Sequence, residues 1–280
     1  MMILSGLSSL NREQLVQFIC FTHVALVIVA IAPIATFFIG VDVLPDSILF
    51  GSVIYEDGKI MFRTTAQNAL MFTTPVFFIR GFLYERLKLS FIVVALITIV
   101  IVALGGRRAL QLVLLLTFLV IFIKRPVLGS AVCLRGLLLV LTFVPANIVD
   151  SIYSTFVGAF DGTQNSASIK YVQGRLLLER FSENTILGHG INAYVNEYIR
   201  HPVNKYAYEL FYHALLMQVG LIGIIILVLI LLVLFTGVLK AEFSLLFFFS
   251  FLIFLLVGAT NPLVYLPWFW LMIFMVSNKT

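Results

Sequence analysis

Glu209 and His213 stand four residues apart in Glu209–Gly223, ELFYHALLMQVGLIG. In a helix that spacing puts both side chains on one face. A carboxylate there can take or align the proton of a hydroxyl, while the neighbouring imidazole tunes it. The other reading is a solvated helix start, with Glu209 favoured by the positive end of the helix dipole. A second group is cationic: Arg107 and Arg108 in the tight turn Gly105-Gly106-Arg107-Arg108, then Lys170, Arg175, Arg180, Arg200 and Lys205 in a long polar stretch. Guanidinium groups offer paired donors and permanent charge, which suits an anionic ligand and phosphate above all. Leu187-Gly188-His189-Gly190 reads as a tight turn whose glycines let backbone approach a partner or ligand closely. Asn192, Tyr194, Asn196, Tyr198, Tyr206 and Tyr208 follow it. Such aromatic and amide groups suit sugar rings, and tyrosines are equally at home at a membrane interface.

The remainder of the chain shows what kind of element holds these groups. Of 280 residues, 61% are hydrophobic and 11% charged, and the mean hydropathy is +1.11. A soluble domain carries about 25% charged residues, so the solvent here is expected to be lipid. The apolar runs are continuous rather than alternating, which favours helices over barrel strands. The expected class is therefore all-α: a polytopic integral membrane protein with about eight spans. They fall at 16–39, 67–83, 89–104, 109–123, 128–146, 211–236, 243–259 and 263–277. The chain then divides into N-terminal membrane helices (1–147), a loop (148–208) and C-terminal membrane helices (209–280).

Lys and Arg placement sets the expected orientation. Arg86, Lys88, Lys124, Arg125 and Lys240 lie in short loops that fit the cytoplasmic side, with both termini. The loop 40–66 and the long loop then lie outside, and so do Arg107 and Arg108, against the usual bias. The alternative is a cytoplasmic turn and a span count wrong by one. Within the long loop, SIKYVQGRLLLERF repeats Ile169, Val172 and Leu176 at helical spacing, as in an amphipathic helix lying along the membrane face. Cys20 and Cys133 fall inside expected spans and read as small apolar residues. No cleavable signal peptide is expected within Met1–Gln14. Among the spans, Arg135 is the main charged residue, and either lines a cavity or snorkels to the cytoplasmic side. No Asp-x-Asp, P-loop or Rossmann glycine pattern occurs.

Taken in order, four pieces resemble the O-antigen ligase and O-antigen polymerase superfamily of bacterial envelope polysaccharide assembly. They are Leu104–Leu110 with its Gly-Arg turn, Arg175 followed by Gly188-His189-Gly190, Glu209-x-x-Tyr212 with Gly220-Leu221-Ile222-Gly223, and Asn261-Pro262. The resemblance covers residues 60–280. Counting eleven residues back from Gly220 reaches Glu209, where ligases typically carry a His-Asn pair. An acid there looks more like the repeat-unit polymerase branch. Gly106 replaces the family's serine, and Arg175 lies nearer Gly188 than in ligases. The chain is also shorter than its relatives at the N-terminal side.

The resemblance implies a GT-C-like, metal-independent glycosyltransferase of the inner membrane, with no cofactor. Its donor would be an undecaprenyl-diphosphate-linked oligosaccharide, extended at the periplasmic face. Glu209 and His213 are the implied catalytic pair. Arg107, Arg108 and Arg175 would bind the diphosphate, and His189, Tyr208 and Tyr212 the glycan. Partners would be the lipid-linked glycan, the bacterial membrane and a chain-length regulator, and no nucleic acid. The alternatives are an O-antigen ligase acting on lipid A core and, from another class, a transporter or flippase.

Overall fold

The computed structural model describes residues 12–39, 51–56, 59–85, 88–105, 107–127, 165–199, 205, 208–239 and 244–258, with isolated positions from 130 to 138. The expected span 263–277, most of 128–146, Asn261-Pro262, Cys133, Arg200, His201, Tyr206 and both termini lie outside the described residues. The chain forms two compact units: Met1–Thr155 with Leu245–Phe254 and Thr280, and Phe156–Ser244 with Leu255–Lys279.

The helices follow the apolar runs. They are α1 (Arg12–Ile39), α2 (Ala66–Ile79), α3 (Leu89–Leu104), α4 (Arg108–Lys124), α5 (Asn165–Glu183), α6 (Phe211–Leu239) and α7 (Ser244–Gly258). Six of these match an expected span to within a few residues, and α5 contains the expected amphipathic segment. A π-helical turn, Arg80–Tyr84, extends α2. Glu13–Phe37 and Phe211–Val233 are long and apolar enough to cross a bilayer. Leu89–Leu104, Ala109–Lys124 and Leu246–Gly258 are apolar but shorter than the roughly 20 residues a span requires.

One element departs from the all-α expectation. The second half of the 40–66 loop contains an antiparallel hairpin, β1 (Gly51–Glu56) and β2 (Lys59–Thr64), in register from Gly51↔Thr64 to Glu56↔Lys59. The intervening Asp57-Gly58 is a strong hairpin signal in sequence terms. The high apolar content of the chain masked it.

In the first unit α2 is the central helix, packed on α1 and α4, and every side chain from Ala66 to Ile79 except Asn68 is buried. Its one buried histidine contact comes from α1. His23 Nδ1 lies 2.9 Å from the Thr73 hydroxyl and Nε2 lies 3.1 Å from that of Thr98. Thr98 donates its own proton to the Val94 carbonyl at 2.8 Å, so it accepts from Nε2–H and leaves Nδ1 to accept from Thr73. The neutral imidazole thus joins α1, α2 and α3 with every group satisfied. Its ring stacks on Phe77 at 4.3 Å between centroids.

His23→Leu should leave the Thr73 hydroxyl without its acceptor and cost about 1–2 kcal/mol. Adding Thr73→Val should recover part of that loss. Thermal unfolding in detergent compares the two variants; if the second substitution lowers the midpoint further, the hydroxyl was not orphaned.

Candidate functional site

The site in the second unit is built from two helices and the loop between them. Leu177 of α5, Val195 and Tyr208 of the loop, and Ala214 and Met217 of α6 form one buried cluster. Above this cluster α6 is broken: Gly220 has φ 65° and ψ −173° inside an otherwise helical run. A break frees carbonyls on one side and amides on the other, and apolar surroundings make them costly. The loop satisfies them. His189 N–H donates to the Met217 carbonyl at 3.0 Å and Gly190 N–H to that of Gln218 at 2.9 Å. In return Leu221 N–H donates to the Thr185 carbonyl at 3.0 Å and Ile222 N–H to that of Ile186 at 3.2 Å.

This crossing needs two glycines. Gly188 has φ 71°, and a Cβ there would lie 2.5 Å from the Gly220 nitrogen. A Cβ on Gly220 would lie 2.4 Å from the Ile186 oxygen. The Gly-His-Gly turn and the Gly-Leu-Ile-Gly segment, separate in the chain, are therefore two halves of one device. Asn184 Nδ2 donates to the Gly188 carbonyl at 2.6 Å, and the Gln218 amide donates to the Ala193 carbonyl at 3.1 Å. His189 donates from Nε2 to the Arg180 carbonyl at 2.6 Å, capping the last turn of α5.

Glu209 sits just before α6. Its Oε2 lies 3.7 Å from Lys170 Nζ, with the two side chains 29% and 31% exposed. Lys170, Gln173 and Leu177 share one stripe of α5 by helical spacing. Gln173, almost fully buried, accepts the Leu210 N–H at 2.9 Å and so sets the backbone beside Glu209. Arg175 lies on another face of α5, exposed and 3.5 Å from Glu179. His213 is half-buried on α6.

The tyrosines hold the fold. Tyr208 is buried, and its oxygen accepts the Val195 N–H at 2.7 Å. Burial raises the phenol above its ordinary value, and the Val195 N–H offsets part of the rise. Tyr212 donates to the Leu255 carbonyl at 2.5 Å. Lys205 lies over the Tyr194 ring at 5.1 Å. Arg107 belongs to the first unit. Its guanidinium reaches Gln67 Oε1 at 3.3 Å, Asn68 Oδ1 at 2.5 Å and the Thr64 carbonyl at 3.4 Å. Gln67 also donates to the Phe62 carbonyl at 2.6 Å, so Arg107 anchors the end of the hairpin and the start of α2. Arg108 opens α4, and its side chain lies outside the described residues.

Glu209 is therefore brought beside Lys170, which the sequence placed among the cations of the long loop but did not pair with Glu209. The stripe Lys170-x-x-Gln173-x-x-x-Leu177 carried the signal. Among the described residues no group of three or more His, Cys, Asp or Glu side chains is placed to hold a metal. Comparison with family models, curated proteins and solved structures finds no match to this chain.

Gly188→Ala and Gly220→Ala should each cost more than about 2 kcal/mol, because the new methyl meets backbone and the positive φ adds strain. Gly190, with φ 96° and open space around it, should lose only about 1 kcal/mol on the same change. Midpoints of thermal unfolding in detergent rank the three; equal losses at all positions would remove the crossing as the cause.

Proposed function

We propose that this chain is a multi-pass glycosyltransferase of a bacterial inner membrane, joining undecaprenyl-diphosphate-linked oligosaccharide repeat units at the periplasmic face. The observation that carries the reading is the meeting of Gly188 and Gly220, which joins two of the four resemblance motifs in one device on the helix that Glu209 precedes. The sequence order of the motifs supports the ligase and polymerase superfamily, and the acid at position 209 supports a polymerase over a ligase.

The reaction displaces a diphosphate from an anomeric carbon by a sugar hydroxyl. Glu209 would take or align the hydroxyl proton, a role open to a carboxylate within hydrogen-bond reach of its substrate. Lys170 beside it would hold the carboxylate in position. The leaving diphosphate gains negative charge, which calls for fixed cations. Arg175, exposed on α5, and Arg108 are the candidates. Arg107 remains a weaker one, because its donors already serve Gln67, Asn68 and Thr64. His213 and His189 are secondary proton-handling candidates, and a chain-length regulator is a further proposed partner.

Glu209→Gln in the native strain should abolish the ladder of surface polysaccharide lengths, leaving single-repeat caps, while the protein inserts at normal levels. Wild-type ladders would remove Glu209 from the site, and accumulation of unattached long polymer would point to a ligase instead. Arg175→Ala should lose at least about tenfold in polymer yield, and Arg175→Lys should recover little of it where a bidentate phosphate contact is needed.

A further inference from the structure

The apolar residues of α6 serve two different environments, and the change comes at Gly220. From Phe211 to Gly220 every side chain is buried or half-buried, with Ala214 and Met217 inside the cluster around Leu177. From Leu221 onwards the pattern inverts. Leu221, Ile222, Ile225, Ile226, Leu229 and Val233 are all exposed, spread around roughly half the helix circumference. No charged residue occurs between Leu221 and Leu239. This second segment rises roughly 28 Å, close to the 30 Å of a bilayer's hydrocarbon. Counted from Phe211, the 29-residue helix would overshoot that thickness by nearly half.

The loop adds a second apolar surface at the same level. Ile186, Leu187 and Ile191 are 61%, 67% and 81% exposed. Ile186 is tied by its carbonyl to Ile222 N–H, in the first exposed turn of α6. Among the described residues the uncovered surface is thus continuous from loop to helix, aliphatic and uncharged. That chemistry and that length fit lipid chains as the covering.

We propose that the hydrocarbon of the bilayer begins at Gly220, and that Ile186, Leu187 and Ile191 form a wedge seated in the same leaflet. Phe211–Val219 then stands outside the hydrocarbon, held by α5. The wedge fixes the height of the second unit on the membrane. Glu209 and its partner Lys170 lie on the packed side of this boundary. This boundary does not depend on the glycosyltransferase reading.

The test uses the full chain in phosphatidylcholine–phosphatidylglycerol vesicles, with Trp268 and Trp270 replaced by phenylalanine. Single tryptophans are placed by Leu187→Trp, Ile225→Trp and His213→Trp, and quenched by lipids brominated at shallow or deep acyl positions. Ile225→Trp reports insertion and should be strongly quenched. Leu187→Trp should show blue-shifted emission and lose most of it to shallow bromines. His213→Trp should keep its emission with either lipid. Quenching at His213→Trp equal to that at Ile225→Trp would move the boundary to the start of the helix and overturn the proposal. So would Leu187→Trp emission that no brominated lipid changes, whether water or a protein partner covers the loop.

Discussion

An interrupted helix in apolar surroundings must find partners for the groups it releases, and the second unit is organised around that need. The four backbone bonds between 185–190 and 217–222 meet it. They work only because Gly188 and Gly220 have no side chains at the point where the two backbones touch. The loop cannot wander while these bonds hold, so Asn184, His189 and Ala193 become fixed points on a surface that would otherwise be mobile. Backbone accounting, rather than any single side chain, positions the polar residues around the site.

Glu209 depends on this arrangement indirectly. It precedes the helix, and its neighbour Leu210 is held by a buried glutamine of α5. The packing of Leu177 on Ala214 and Met217 keeps α5 against α6 and brings Lys170 to the carboxylate. A partly exposed pair of this kind adds little to stability, so its interest is chemical. In the first unit polar groups play the opposite part. His23, Gln67 and Arg107 use their hydrogen-bonding capacity on neighbours within the fold, tying helices to one another and to the hairpin.

The helices were legible in the chain because apolar run length is a one-dimensional property. α3 matches its expected limits, and α1, α2, α4, α6 and α7 follow theirs closely. The amphipathic α5 was legible from periodicity. The hairpin was missed although Asp57-Gly58 marks it, because a short strand pair competes poorly for notice against long apolar runs. Of the candidate site, the Gly188-His189-Gly190 turn was recognised as a place of close approach, but its partner at Gly220 was not. Tyr208 and Tyr212 looked like a glycan platform, yet their hydroxyls serve Val195 and Leu255. A tyrosine hydroxyl carries no mark in sequence of whether it faces ligand or backbone.

Composition and spacing by themselves determined that the chain is helical and strongly apolar, where its helices run, and which residues are able to handle protons or bind anions. Those properties depend on residues near one another in the chain. Tertiary structure alone decided that the loop mends the break in α6, that Lys170 rather than Arg175 meets Glu209, and that Arg107 anchors a hairpin. It also separated the packed and the uncovered halves of α6, which hydropathy reads as one. The physical reason is that hydrophobicity measures only aversion to water. Whether a leucine escapes into protein or is left bare depends on what the rest of the fold brings beside it.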